Sequence, residues 1–238
     1  MKMMQKSLLA LAVMATTALN VQAASNVELK VIGRIDPGTC TPTLSGGGTI
    51  DYGTMSPDSL AATGLTLLPE KQLDFAIACT APSKVAVKVV NGRPNTVAGA
   101  TEGASGFATV TGTTIFGVAN MGVAGLGESD GVKVGGYGIR IAPGTVIADT
   151  NSVDNIVAPN ITSPVWAGIG TGATGSLLST ATVRGVSWAA TGTTTPVAFT
   201  NLSGKLGVQA YLNERSAFDL TNTVQLDGLS TLELVYLP

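Results

Sequence analysis

Side chains able to do chemistry are few in this 238-residue chain, and histidine is absent. Without histidine the chain cannot build a Ser–His–Asp triad, a Cys–His pair or a histidine-ligated metal site. The sequence GVSWA at residues 185–189 is one residue away from a nucleophile elbow, but no histidine base could activate Ser187. We therefore expect a non-enzymatic protein without a cofactor or a metal site.

Two further patterns resemble functional motifs without their usual context. Residues 170–175 read GTGATG and match G-x-G-x-x-G, but no acidic residue follows before Glu214. A dinucleotide site needs a strand before the glycines, a helix after them and an acid about 20 residues downstream. Glu128 and Asp130 lie close together but lack the full spacing of a calcium loop. A flexible glycine-rich loop and a solvated turn are the expected structures.

The first 23 residues have the layout of a secretory signal peptide. Lys2 and Lys6 precede the apolar run at 7–19, and Val21-Gln22-Ala23 fits the small-residue cleavage rule, with cleavage after Ala24 as the second choice. Removal of residues 1–23 takes away two lysines and no acid, which moves the formal net charge from −2 to −4. Nucleic-acid-binding proteins carry a basic excess, so the composition argues against that class and predicts a mildly acidic, exported protein.

The two cysteines follow this segment. Export places Cys40 and Cys79 in an oxidising compartment, where an even number of cysteines predicts a disulfide. The bond would close a loop of about 40 residues, worth roughly 4 kcal/mol in the chain-entropy model.

Hydrophobic alternation predicts an all-β fold. Apolar residues recur at every second position in several segments, and no window of similar length has a helical stripe. The segments are 73–79, 85–89, 137–141, 206–212 and 232–236. Turn-forming residues separate them, and this spacing favours a β-sandwich.

Two stretches rich in Gly, Thr, Ala and Ser carry few long apolar side chains. They cover residues 91–135 and 143–204, where we expect long loops with short irregular strands. No change in composition divides the rest of the chain. We therefore expect one domain at 40–238, preceded by an N-terminal extension at 24–39.

The extension at 24–39 has one apolar face. Val27, Leu29, Val31 and Ile35 fall on that face, and Gly33 lies between the last two. An exposed strand of this kind is an edge hazard unless something pairs with it, and a glycine within a strand often marks close approach of another backbone. From these residues alone, pairing within the chain's own sandwich and pairing with another chain are equally compatible.

The order of features resembles a pilus (fimbrial) subunit of the bacterial chaperone–usher pathway. The chain is longer than a typical major subunit of this kind, and Tyr236 stands third from the end rather than penultimate. Residues 24–90 and 205–238 carry the resemblance, which favours a fimbrial-like branch. Four features define it: Gly33 seven residues before Cys40, the Asp51-Tyr52-Gly53 motif, Leu73-x-Phe75-x-Ile77-x-Cys79 and Leu232-x-Leu234-x-Tyr236.

The resemblance implies an immunoglobulin-like β-sandwich that lacks its last strand and is completed by a donor strand. A periplasmic pilus chaperone would fill the gap first. At the outer-membrane usher, the extension of a neighbouring subunit would replace it, giving a homo- or hetero-polymer at the cell surface that supports adhesion. The implied site residues are Val27, Leu29, Val31, Gly33 and Ile35 in the donor strand, the Cys40–Cys79 clamp, and Leu232, Leu234 and Tyr236 at the groove edge where the chaperone docks.

An alternative is a secreted carbohydrate-binding β-sandwich that is complete in itself. Trp166 or Trp188 would then stack on a host or surface glycan. This alternative predicts a soluble monomer after deletion of residues 24–38. The presence of the extension favours a shaft or minor subunit over a two-domain adhesin.

Overall fold

A computed structural model describes residues 29–32, 38–170 and 172–238. The chain divides into two units, Met1–Asp36 and Pro37–Pro238. In the described part of the first unit, residues 29–32 have no regular secondary structure. None of the helices in the described residues is long and apolar enough to cross a membrane.

The second unit is built from strands, which confirms the all-β prediction. Three short 3₁₀ helices interrupt them at Ser45–Gly48, Pro57–Ser59 and Arg215–Ala217. The strands are β1 Cys40–Leu44, β2 Thr66–Leu67, β3 Lys71–Ser83, β4 Val85–Asn91, β5 Ala108–Thr109, β6 Thr114–Ile115, β7 Val118–Ala119, β8 Gly122–Gly125, β9 Glu128–Ser129, β10 Val132–Lys133, β11 Gly135–Ile141, β12 Ile147–Ala148, β13 Asn151–Ala158, β14 Ala167–Gly168, β15 Gly185–Ala190, β16 Phe199–Leu212 and β17 Ser230–Tyr236.

Two antiparallel layers carry the fold. In the first sheet, the strand order is β1-β3-β16-β11-β8-β5, and in the second sheet it is β17-β4-β15-β13-β14. The short strand β12 pairs with both β13 and β16 and links the two sheets. The 14-residue β16 is central in the first sheet, because it pairs with β3 on one side and β11 on the other.

The inner faces of the two sheets share one core. Phe75 on β3 and Trp188 on β15 belong to different sheets, yet their ring centroids lie 6.2 Å apart. Trp188 also packs edge-to-face on Phe199, with centroids 5.9 Å apart. All three side chains are almost fully buried, and contacts of this kind add to the stability that burial of their area provides. The sheets therefore form a β-sandwich.

The prediction of long loops over residues 143–204 is wrong for β13 and β15. These two strands pair over six residues in the centre of the second sheet. Five consecutive residues of β15, from Gly185 to Ala189, are buried, so the strand has no exposed face that would produce an alternating pattern. Ser187 is one of them, and its small side chain further weakens the hydrophobic signal.

Residues 91–135 contain the short strands β5 to β10, and they also build a second core. This smaller cluster packs around Tyr211 on the outer face of β16. The Tyr211 hydroxyl donates a hydrogen bond of 2.8 Å to the carbonyl of Ala98, and burial raises its pKa above the ordinary value. Glycines in β11 permit the close packing, because a Cβ on Gly138 would lie 2.5 Å from Cγ2 of Ile115.

The predicted disulfide is confirmed. Cys40 and Cys79 are directly opposite each other in the β1–β3 pair, and their sulfur atoms are bonded. The bond closes a loop of 39 residues in sequence separation. The disulfide therefore fixes the edge strand β1 to β3, its only partner strand among the described residues.

We predict that replacing both cysteines, C40S/C79S, lowers the free energy of unfolding by about 4 kcal/mol, because the unfolded chain regains the entropy of a loop of about 40 residues. Urea unfolding followed by circular dichroism measures this loss. Wild-type protein under reducing conditions is the matched control and should show the same loss. An unchanged midpoint in both samples would contradict the prediction.

The two tryptophans provide a second comparison. We expect Trp188→Ala to lower the free energy of unfolding by about 3–5 kcal/mol, because it empties a large site in the core. Trp166 is half-buried, so Trp166→Ala should cost much less. The same urea titration measures both variants, and equal losses would show that Trp188 does not centre the core.

Candidate functional site: an apolar groove between two edge strands

Each sheet has a terminal strand with a single partner among the described residues. β1 pairs only with β3, and β17 pairs only with β4. The amide of Cys40 donates a hydrogen bond of 2.7 Å to the hydroxyl of Tyr236, so the start of β1 meets the end of β17. The outer backbone edge of β17 can accept a further strand, whereas on β1 the amide of Cys40 is already bonded to Tyr236 and Pro42 has no N–H to donate.

An apolar groove of about 820 Å³ lies between these edge regions. One wall consists of Leu44 at the end of β1 and the loop that follows it, and the other consists of residues 218–232. The floor is the inner face of β16 and β11 in the first sheet. The floor residues are Leu206, Val208, Ala210, Leu212, Tyr137 and Ile139.

The apolar side chains that the main core leaves half-exposed are concentrated along this groove. On one wall they are Leu44, Tyr52, Met55 and Leu60, and on the other they are Phe218, Val224, Leu226 and Leu232. Soluble monomers rarely leave a large contiguous apolar patch uncovered. The groove is therefore the candidate interaction surface among the described residues.

The Asp51-Tyr52-Gly53 motif builds part of the first wall. The Asp51 carboxylate accepts a hydrogen bond of 2.7 Å from the amide of Gly53, whose φ of 71° suits glycine. This turn directs Tyr52 to β16, where its hydroxyl donates to the carbonyl of Val208 at 3.4 Å and accepts from the amide of Ala210 at 3.2 Å. Burial raises the pKa of Tyr52, so the phenol stays neutral near physiological pH.

Tyr137 fixes the opposite wall. Its hydroxyl lies 2.6 Å from the hydroxyl of Ser230 at the start of β17, and burial raises its pKa. The backbone of Gly228 lies against the same ring, because a Cβ at this position would be 2.8 Å from Cε1 of Tyr137. This contact explains a glycine near the beginning of β17 that the strand pattern alone does not require.

The predicted donor residues belong to the first unit. Leu29 and Val31 are 87% and 89% exposed, and Ile32 between the alternating positions is 91% exposed. Val27, Gly33 and Ile35 lie outside the described residues. The structure therefore describes an exposed apolar segment but does not test its role as a donor strand.

The predicted groove-edge residues lie on β17. Leu232 lines the groove and Leu234 packs on the core beside it, while Tyr236 is 51% exposed and bonds to the amide of Cys40. The sequence did not predict that Tyr137, Val224 and Leu226 line the groove. Alternation at Phe218, Leu220, Val224 and Leu226 was the available signal, but turn residues between Leu220 and Val224 obscure it.

Ser187 has a structural position. It is 1% exposed, and its hydroxyl donates a hydrogen bond of 2.8 Å to the carbonyl of Val85 on the neighbouring strand. At residues 170–175, Thr171 lies outside the described residues, and residues 172–190 contain no helix of the kind that a dinucleotide site needs. Glu128 and Asp130 belong to the small hairpin β9–β10, where Asp130 takes a positive φ of 50° in the turn.

Comparison with known proteins gives one family model and two relatives. The model described as a protein of unknown function (DUF1120) matches residues 29–138, a range that includes both cysteines and the Asp51-Tyr52-Gly53 motif. The chain is 26% identical to the YhcF protein of Escherichia coli K12, whose name describes it as uncharacterized, over 236 residues that cover 92% of this chain and 94% of YhcF. No solved structure matches the chain.

The other relative is protein GltF, also of Escherichia coli K12. Identity is 32% over 231 residues, which cover 90% of this chain and 89% of GltF. The chain therefore belongs to the same family as GltF, and its residues 29–138 carry the DUF1120 match.

Proposed function

We propose that this protein is a structural subunit of a bacterial surface fimbria that polymerises by donor-strand exchange. One observation carries the proposal: a sandwich with an apolar groove between two unpaired strand edges, in a chain whose N-terminal segment exposes alternating apolar side chains. An apolar strand would bury the half-exposed side chains of the groove, and the groove would bury the apolar face of residues 27–35.

The physical basis of the exchange is β-augmentation. An extended segment placed between β1 and β17 would form main-chain hydrogen bonds with the strand edges and insert alternate side chains into the groove. Residues 27–35 span roughly 26 Å at about 3.3 Å per residue, which is long enough to run along the whole of the seven-residue β17. Burial of each aliphatic side chain such as Leu29 or Val31 contributes about 1.5–3 kcal/mol before ordering costs.

The charge of the two edges also favours an incoming strand. β1 has no charged residue, and β17 has only Glu233. Glu233 already forms a salt bridge of 2.9 Å with Lys88 on β4, so an incoming strand would not have to bury an unpaired charge. Edge strands that avoid pairing usually carry charges, proline or bulges. β17 has only the paired Glu233, whereas Pro42 removes one backbone donor from β1, so β17 is the better edge for pairing.

The same surface determines the proposed partners. A periplasmic pilus chaperone would bind along β17, where Leu232, Leu234 and Tyr236 lie, and would cover the groove during export. The outer-membrane usher would then bring a neighbouring subunit, whose extension replaces the chaperone strand. The assembled fibre would be located at the cell surface and would support adhesion.

A carbohydrate-binding sandwich that is complete in itself is the second candidate function, and the burial of Trp188 in the core argues against it. Trp188 is fully buried, so it cannot stack on a sugar ring. Trp166 is half-buried beside Val165, which is 76% exposed, and is the one of the two tryptophans that could make such a contact. This candidate gives no role to the groove or to the N-terminal segment.

Deletion of residues 24–38 tests the proposal directly. Co-expressed with a candidate chaperone, the full-length mature protein should form SDS-resistant ladders on unheated gels. The truncated protein should remain bound to the chaperone, because it can accept a strand but cannot donate one. If both proteins purify as stable monomers free of chaperone, the sandwich is complete and the fimbrial proposal fails.

The alternation of side chains between the two faces of a strand provides a sharper test within the extension. The double variant L29N/V31N should abolish the ladders, because both substitutions place a polar group on the groove-facing side. The matched control is Ile32→Asn, which changes a residue of equal exposure on the opposite face and should retain ladder formation. Gel densitometry and electron microscopy of fibres measure the outcome, and equal loss in both variants would argue against a one-faced donor strand.

A further inference from the structure

We propose that residues 218–229, which we call the strap, are an internal placeholder that covers part of the groove and is displaced when a donor strand enters. This inference rests on the proposed function and concerns how the same site is regulated. The strap runs from the end of the 3₁₀ helix Arg215–Ala217 to the start of β17. Phe218, Leu220, Val224 and Leu226 all line the groove.

The strap repeats the side-chain pattern of the N-terminal segment. Over the nine residues 218–226, four alternate positions are apolar and Asn222 occupies the fifth. Over the nine residues 27–35, four alternate positions are apolar and Gly33 occupies the fifth. Since alternate side chains fill the pockets in strand addition, the two segments present the same kind of surface to the groove.

Few hydrogen bonds hold the middle of the strap. Between 218 and 226 the described bonds are local, such as those from the amide and hydroxyl of Thr221 to the Asp219 carboxylate at 3.0 and 2.6 Å. The strap forms a turn at Leu220 and Thr221 and is not part of either sheet. Apolar contact therefore holds it on the groove, and segments with few hydrogen bonds open at low free-energy cost.

The C-terminal end of the strap is firmly anchored. The Asp227 carboxylate accepts two hydrogen bonds from Arg93, at 2.9 and 2.7 Å, and the Asp227 amide donates to the carbonyl of Leu126 at 2.9 Å. The amide of Gly92 donates to the carbonyl of Leu229 at 2.8 Å. An anchored end and a loosely held middle allow the apolar side chains to leave the groove while β17 keeps its place.

This arrangement has a consequence for the exchange reaction. While the strap covers the groove, fewer apolar groups face water, and a donor must compete with it. Apparent affinity falls in proportion to the fraction of molecules in which the site is free. Weakening the strap should therefore speed donor entry, which is opposite to the effect expected if these side chains only formed the wall that binds the donor.

The test uses the full-length mature chain with L29N/V31N as the parent, since this chain should not donate its own strand. The probe is a fluorescent synthetic peptide with the wild-type sequence of residues 24–36. We expect V224S/L226S in the parent to increase the association rate of the peptide about tenfold. The matched control, S216A/T221S, changes two exposed residues of the same connection that do not line the groove, and it should leave the rate unchanged.

Hydrogen exchange of the parent provides a second readout that does not depend on the folding of the strap variant. Peptide binding should increase amide exchange over residues 219–226 and decrease it in β17. If the peptide binds the parent but V224S/L226S does not bind it faster, or exchange in the strap does not rise, the strap inference is overturned and the groove function stands. If the peptide binds none of the three proteins, the proposed function fails, and this inference fails with it.

Discussion

The rest of the structure depends on two strand edges that are left unpaired, those of β1 and β17. A strand with one neighbour satisfies the backbone groups along that side only, and β1 and β17 are both in this position beside the same groove. The side chains that border the groove stay half-exposed, because no element within residues 38–170 and 172–238 covers them fully. Backbone pairing and apolar burial are thus incomplete at one place, and one extended apolar segment could complete both.

Cys40 holds this incomplete region in shape. Its sulfur is bonded to Cys79 on β3, and its amide is hydrogen-bonded to Tyr236 on β17. One residue therefore connects the edge of the first sheet both to its own neighbour and to the edge of the second sheet. Tyr52 and Tyr137 act in a similar way farther along, since each hydroxyl ties one wall to a strand or strand end. The groove is bounded by fixed contacts at several points along its length.

The sequence was sufficient for the elements whose two faces differ. β3 alternates because one of its faces is buried and the other is largely not, and β11 alternates because glycines occupy its outer face beneath the second core. The prediction located both strands, and it also located β16 and β17. The interior strand β15 is buried on both faces, so its sequence has no period of two and was assigned to a loop. The cysteines and Leu232 could be found from spacing. The positions of Tyr137, Val224 and Leu226 depend on how a loop folds back over the sheet, which local pattern does not encode.

The second core around Tyr211 covers the outer face of β16, so the apolar side chains that β16 leaves uncovered are those that face the groove. Without residues 97–123, the outer face of β16 would present Tyr211 to solvent, and the sheet would have two apolar faces. Residues 97–123 cover that face closely, because β11 has glycines at positions where a larger side chain would clash with them. The inner face is covered only partly, by the strap and the loop after β1. A sheet that is covered on this part of one face and partly open on the other could add a strand at the groove, and in the proposed donor-strand exchange this asymmetry would provide a single site.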